Sequence, residues 1–469
     1  MSRPAETVPP RPDPWVVAPG FQPVRQTFAD NFAHRGELGA ACAVYRHGEP
    51  VVDLWGGLRD RGLPGCQDTL LLVFSVTKGM TATALTVVHA RGLLDHDTPV
   101  AAYWPELAEA GKAAITVRQV LAHQAGLATI DQRLRLVDLA DQERLGALIA
   151  GQRSQWPPGT RKGYHYLTFG WIAAELIGRI DPAGRTLGRF FGEEVAAPLG
   201  LDFHIGLPPD LPDERVARIK VFHGLRLRLH PRTMPPGMLL AFAAPRSLTA
   251  RTLGNPRLAS PGAFDRPELR PIQIPAAGGI GTVRAVARCF GELATDARTL
   301  GLTDRTLNEL TAPGLPPADG WGDLVWHTDI RYSAGFLKPC PPAPLGPATA
   351  RSVPKAPAAH SASPTPTWPL ATPTPPTGSA STWSMIPAGR PSAPPSTAAL
   401  VSSRARPAAT ADRRAAIPVR RPTVSTASPG LSSLLPPCSE LPAGQGYRAP
   451  SGDGTRLHAI VAGAGRPWC

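Results

Sequence analysis

Short apolar runs near the start of the chain set the first elements. Ala40-Ala41-Cys42-Ala43-Val44-Tyr45 and Val51-Val52-Asp53-Leu54-Trp55 predict two strands. Arg46-His47-Gly48-Glu49 lies between them as a hairpin turn, and Gly56 and Gly57 end the second strand. Before them, Phe21 to about His34 carries an amphipathic helical pattern, and the Pro-rich residues 1–20 form a loose arm. A helix is expected from Ser75 to about Arg91, where Gly92 suits its C-terminus. Further helices are expected from Thr116, a natural N-cap, to about His123, from Thr168 to Ile180, and from Thr282 to about Ala294. Gly278-Gly279-Ile280-Gly281 reads as a tight backbone turn, because no Lys-Ser/Thr follows it as a phosphate loop requires. Strands flanking a long helical insertion, about 92–275, predict an α/β fold: a sheet domain with a helical domain set into it.

These patterns stop near Lys338. Between Phe336 and Tyr447 there is no Phe or Tyr, and between Asp329 and Asp412 no acid, while Pro, Ala, Ser and Thr dominate. Such a stretch buries too little apolar surface to offset its ordering entropy, so residues 338–469 read as a disordered tail. The tail carries 13 Lys or Arg against 3 acids, a net of +10 within the +13 of the whole chain, so residues 21–337 form a nearly balanced globular unit. The basic residues are scattered Arg without aromatic interleaving, which argues against a nucleic-acid partner. Six cysteines show no CxxC pair and no zinc spacing, and they read as free thiols in a reducing compartment, with Cys289 on an apolar helix face. No apolar stretch reaches signal-peptide or membrane-helix length, so a cytoplasmic protein is expected.

Ser75-Val76-Thr77-Lys78 is an S-x-x-K string opening a helix. Spacing i to i+3 places both side chains on one face, within hydrogen-bond reach. A serine hydroxyl needs a base to take its proton, and a lysine in a dry pocket has a lowered pKa suited to the task. By itself the string also fits a capped helix start with a surface lysine. Its surroundings narrow the choice. Phe74-Ser75-Val76-Thr77-Lys78-Gly79, the segment Ile115 to Leu127, Trp156-Pro157-Pro158-Gly159-Thr160 with Gly163-Tyr164-His165-Tyr166, Pro198-Leu199-Gly200-Leu201-Asp202, and Gly278 to Thr282 occur in order. This ordered set resembles the serine β-lactamase and penicillin-binding-protein-like family, in its class C-type branch that includes the family VIII carboxylesterases. The resemblance runs from about Pro19 to Lys338.

The resemblance implies an antiparallel sheet flanked by helices with an inserted helical domain. It also implies an acyl-enzyme chemistry, with Ser75 as nucleophile and Lys78 and Tyr164 sharing proton transfer. A phenolate base requires neighbouring cations to lower a pKa near ~10, and Lys78 is the expected one. The bland alternative for Tyr164 is an ordinary half-buried tyrosine. The β-lactamases of the family carry Tyr-x-Asn where this chain has Tyr164-His165-Tyr166, which favours an esterase. His165 fits a polar neighbour of the site or a structural residue, and His123 a hydrogen-bonded histidine of the fold.

The family also implies a third element, a glycine-rich or His/Lys-x-Gly string on a strand beside the nucleophile. Its backbone N–H completes the oxyanion hole. No such string follows Gly335. The genetic code suggests why. When each codon is built from the third base of one residue and the first two of the next, Lys355 to Trp368 permit Glu-Gly-Thr-Gly-Gly-Ser-Phe-Gly-Phe-Ala-Asp-Pro-Asp-Leu, which resembles that element. Continuing over Ala371 to Pro387 permits a strand, turn and strand. A slip of the reading frame between about Lys338 and Ser352 accounts for the tail, and the alternative is a genuine disordered tail.

The expectation is therefore a serine hydrolase without cofactor or metal, a carboxylesterase on small esters, with neither nucleic acid nor membrane as partner. Alternatives are a β-lactamase or D-amino peptidase of the same fold, a catalytically impaired member that has lost its third motif, and an adaptor acting through the basic tail.

Overall fold

The computed structural model describes residues 15–35, 37–60, 62–219, 236–257, 261–338, 397–400 and 458–463. Residues 1–14 of the expected arm and most of the expected tail lie outside the described residues.

The first two strands pair as a hairpin. β2 (Gly39–Arg46) and β3 (Glu49–Asp60) run antiparallel, with Val17 of β1 (Val16–Val17) opposite Val52. The connecting turn is shorter than expected. Only His47 and Gly48 lie outside the strands, both at positive φ (52° and 85°), which suits a tight two-residue loop. The second strand also continues past its glycines to Asp60, and β4 (Leu63–Pro64) pairs with it. Gly57 does not stop the strand but admits a close crossing: at φ +75°, a Cβ there would lie 2.2 Å from the Leu38 carbonyl oxygen. The period-two alternation of β2 divides two cores. Cys42 and Val44 join Phe28 of α1 (Gln22–Arg35) on one face, while Ala43 and Tyr45 join the main core, where the helix Val283–Leu293 packs on the strand.

β2 is an inner strand, paired on both of its edges. β11 (His458–Gly463) runs antiparallel along it, with β10 (Thr397–Leu400) parallel to β11 beyond.

α2 (Val76–Ala90) is the centre of the molecule. Every residue from Val76 to His89 is buried. A helix buried all round must satisfy its own polar side chains. Thr83 and Thr86 donate to the carbonyls one turn back, of Gly79 and Ala82, and Thr81 donates to Pro275 O at 2.7 Å. α5 (Thr168–Ile180) and α6 (Leu187–Phe191) pack on α2, α4 (Gln142–Gly151) packs on α5, and α3 (Val117–Leu121) lies against the strand Arg331–Ser333. Thr116 caps α3 with a full capping box through Gln119, and α5 spans the expected residues.

One expectation fails here. The glycines at 278–281 are not a tight turn: β7 (Gly279–Gly281) is an extended strand between β5 (Leu71–Leu72) and β6 (Phe203–Ile205). The glycines serve close approach, since a Cβ on Gly279 would lie 2.6 Å from both the Phe203 ring and Thr77 Oγ1. The hairpin β8 (Arg331–Ser333) and β9 (Phe336–Lys338) then lies against α2, where a Cβ on Gly335 would meet Ala82 Cβ at 2.7 Å.

Candidate active site

The site begins with a turn under strain. Phe74 has φ +45°, a left-handed conformation that is costly for a bulky residue, on the order of 1–3 kcal/mol. Three ties hold it. Val73 N–H donates to Gly279 O at 3.0 Å, Thr77 Oγ1 accepts from Gly279 N–H at 2.9 Å, and the same hydroxyl donates to Phe74 O. The turn is thereby stitched to β7 from both sides. Ser75 occupies the N-cap position of α2, yet its side chain caps nothing. The hydroxyl instead accepts a hydrogen bond from Tyr164 Oη at 2.7 Å.

Lys78 lies one turn further along α2 and is buried. Its Nζ donates to Tyr166 O at 2.7 Å and to Ala276 O at 2.9 Å, not to Ser75 as the spacing suggested. It also lies 4.6 Å from the centre of the Tyr164 ring. Burial lowers its pKa well below the usual lysine range, and the neutral amine is favoured. A neutral amine that gives two N–H groups to carbonyls retains a lone pair able to take a proton.

Tyr164 is held on an extended segment threaded between two others. Gly163 N–H donates to His123 O at 3.1 Å, His165 N–H to His123 Nδ1 at 3.0 Å, and Tyr164 N–H to Asp323 Oδ1 at 3.2 Å. Gly163 is required there, because a Cβ would meet the Trp156 ring at 2.7 Å. The phenol ring stands among His123, Tyr166, Trp326 and Tyr332, with centroids 5.2–6.4 Å away. The expectation that Lys78 would lower the phenol's pKa is overturned. Burial raises it, the hydrogen bond with Ser75 opposes that rise, and the charge of Asp323 adds to it. The physical reason is that desolvation of the buried phenolate outweighs the favourable contacts around it. At rest the phenol is therefore protonated and donating.

His165 spends both ring nitrogens on backbone: Nδ1 contacts Gly163 O at 2.7 Å and Nε2 accepts from Leu127 N–H at 3.1 Å. Burial pushes its pKa down to about 4 and that of His123 well below the imidazole range, so both act as neutral struts. Cys289 is buried, as its helix face suggested. Among the described residues no group of three or more His, Cys, Asp or Glu suits a metal ion, and no helix is long and apolar enough to cross a membrane. A cavity of about 350 Å³ lined by Arg161, Asp319, Asp323 and His327, among others, includes none of Ser75, Lys78 and Tyr164 in its walls.

Sequence reasoning singled out Ser75, Lys78 and Tyr164, and the structure brings them together. It missed Thr77, Asp323, Trp326 and Tyr332. Gly320-Trp321-Gly322-Asp323 signals a turn in which an aspartate caps nearby N–H groups, but nothing local ties it to Tyr164.

Residues 24–337 match the Beta-lactamase family. The esterase/beta-lactamase LipL of Mycobacterium tuberculosis is 38% identical over 295 residues, which cover 61% of this chain and 65% of that protein. Esterase EstB of Burkholderia gladioli is 32% identical over 196 residues, 37% of this chain and 48% of that one. The chain thus spans less than two thirds of the length of either curated relative. Among solved structures, a family VIII carboxylesterase superposes with a TM-score of 0.59 at 34% identity, covering 69% of this chain and 82% of that one. A penicillin-binding protein homolog from Caulobacter crescentus gives 0.57 at 36% identity over the same shares.

Proposed function

The chain belongs to the beta-lactamase family, and from that premise we propose that it is a serine hydrolase, a carboxylesterase that forms an acyl-enzyme through Ser75. The observation that carries the reading is the 2.7 Å hydrogen bond between the Ser75 and Tyr164 hydroxyls, on a strained turn beside a buried amine. Ser75 Oγ attacks the ester carbonyl. Its proton passes to the pair formed by Tyr164 and Lys78, with the amine as the final acceptor, and returns to the leaving alcohol. Water then attacks the acyl-enzyme by the reverse route. Tyr166 supplies a carbonyl to Lys78 and an aromatic ring where the family's β-lactamases place an amide, which favours esters over β-lactams. The name of EstB agrees with an esterase, and that of LipL carries both esterase and beta-lactamase. A fluorophosphonate probe tests the reading: it should label Ser75, and Ser75→Ala should abolish both labelling and hydrolysis of p-nitrophenyl acetate. An unlabelled Ser75 in protein expressed from the resequenced gene would overturn it.

A second reading concerns the chain after Lys338. The family match ends at residue 337, where the composition changes, and this supports a reading-frame slip between about Lys338 and Ser352. In the product as written, the second oxyanion donor would be missing, at a cost of about 10²–10³ in rate. Resequencing genomic DNA across these codons decides the matter. A single-base correction opening into Gly-Thr-Gly-Gly-Ser would make the natural protein a complete hydrolase, and stops in the shifted frame would make the tail genuine and the enzyme impaired.

A further inference from the structure

A single carboxylate oxygen holds three backbone N–H groups beside the site. Asp323 Oδ1 accepts from Val325 N–H at 2.8 Å, from Trp326 N–H at 2.8 Å and from Tyr164 N–H at 3.2 Å. The first two are local bonds that any aspartate in a turn can make. The third reaches across 159 residues to the tyrosine whose phenol meets Ser75.

The backbone around it already clasps the same segment. Ala318 N–H donates to Gly159 O, Asp319 N–H to Thr160 O and Leu324 N–H to Lys162 O, at 2.8–3.1 Å. Asp323 adds what those bonds do not. Its carboxylate holds Tyr164's own N–H, and through Trp326 N–H it also fixes an aromatic wall whose ring lies 5.4 Å from the phenol. The side chain is only 2% exposed, so the protein keeps a carboxylate where an uncharged acceptor could cap the turn at lower desolvation cost.

We propose that Asp323 is the positioning residue of Tyr164, holding both the backbone and the ring wall from which the phenol reaches Ser75. The inference rests on the reading of Tyr164 as the proton partner of Ser75. The charge has a direction of its own, because a negative neighbour favours the protonated phenol that donates to Ser75. The other titratable or charged groups around the phenol are Lys78 of α2, His123 after α3, His165 and Tyr166 of its own segment, and Tyr332 of β8. Lys162 lies near the carboxylate.

The test is the kinetics of fluorophosphonate labelling at Ser75, on protein expressed from the resequenced gene, with the limiting rate and the probe affinity resolved separately. Asp323→Ala should lower the limiting rate by about tenfold or more with affinity within about twofold, since a misplacement of about 1 Å can cost about 10²-fold. Asp323→Asn keeps the acceptor and should restore most of the rate. A folded Asp323→Ala that labels at the native rate would overturn the proposal. If Asp323→Ala does not fold, a folded Asp323→Asn labelled more than tenfold slower than the native protein would overturn it instead, because that variant keeps the acceptor for Tyr164 N–H. Native protein that is not labelled would sink the nucleophile assignment and this inference together.

Discussion

The two ends of α2 bury ionisable groups in opposite ways. At the C-terminal end, His89 and His96 stack with ring centroids 4.3 Å apart, and each finds a partner: Thr306 Oγ1 at 2.9 Å and Glu309 Oε2 at 3.3 Å. Arg118 closes that network with fork-like bonds to Asp97 and Glu309 at 2.6–3.2 Å. Charges there are paired, and no residue of the cluster is held at positive φ. At the N-terminal end, Lys78 faces two carbonyls and two aromatic rings, and the residue before Ser75 is held at positive φ. A paired cluster settles into the fold, whereas an amine that meets only neutral groups is driven toward its reactive uncharged form.

Breaking the N-terminal end should separate chemistry from stability. Lys78→Met should cut esterase activity and Ser75 labelling by about 10²–10⁴, the usual share of a proton-transfer group. It should also raise the melting temperature at pH 7. Burial lowers the folded-state pKa, so the unfolded chain binds the proton more tightly and the lysine costs stability wherever pH lies below its ordinary value. A variant that stays active, or melts earlier, would undo the contrast.

Thr77→Val keeps the shape and removes the hydroxyl that ties Phe74 to β7. Labelling should fall about tenfold, equivalent to about 1.4 kcal/mol at the transition state. Urea unfolding should show a loss of about 1–3 kcal/mol for the orphaned Gly279 N–H. Thr77→Ser should recover both.

At the other end the pattern should invert. Arg118→Met should cost roughly 1–3 kcal/mol in urea unfolding, because it strips hydrogen bonds from two carboxylates, while labelling of Ser75 stays within about twofold. The smallest effect is on pH. Burial, first among the causes, lowers the pKa of His89 and of His96. Protons then bind the unfolded chain more tightly. This contribution is complete above about pH 6.5 and is lost as pH falls below it. Melting curves between pH 7.5 and 5 should show the decline, and His96→Asn should flatten it. An equal slope in that variant would place the sensitivity elsewhere.

Much of this was legible in the chain. α1, the β2–β3 pair and α5 follow from local apolar periodicity, and Thr116 announced its cap through an equally local pattern. Ser75, Lys78 and Tyr164 could be singled out because short strings around them carry a family likeness. The extended path of Gly279–Gly281 could not, since a glycine run signals freedom of φ and not what crosses it; the Phe203 ring and Thr77 decide that. Neither could the partners of Lys78, which are the carbonyls of residues 166 and 276.

The sequence by itself determined the elements, the order of the chemical groups along the chain and the break in composition near Lys338, because each depends on neighbours a few residues apart. Only the tertiary structure decided which proton sits where. Burial of Lys78, the protonated state of Tyr164 and the reach of Asp323 across the fold are set by desolvation and by contacts between segments far apart in sequence, and no local pattern encodes them.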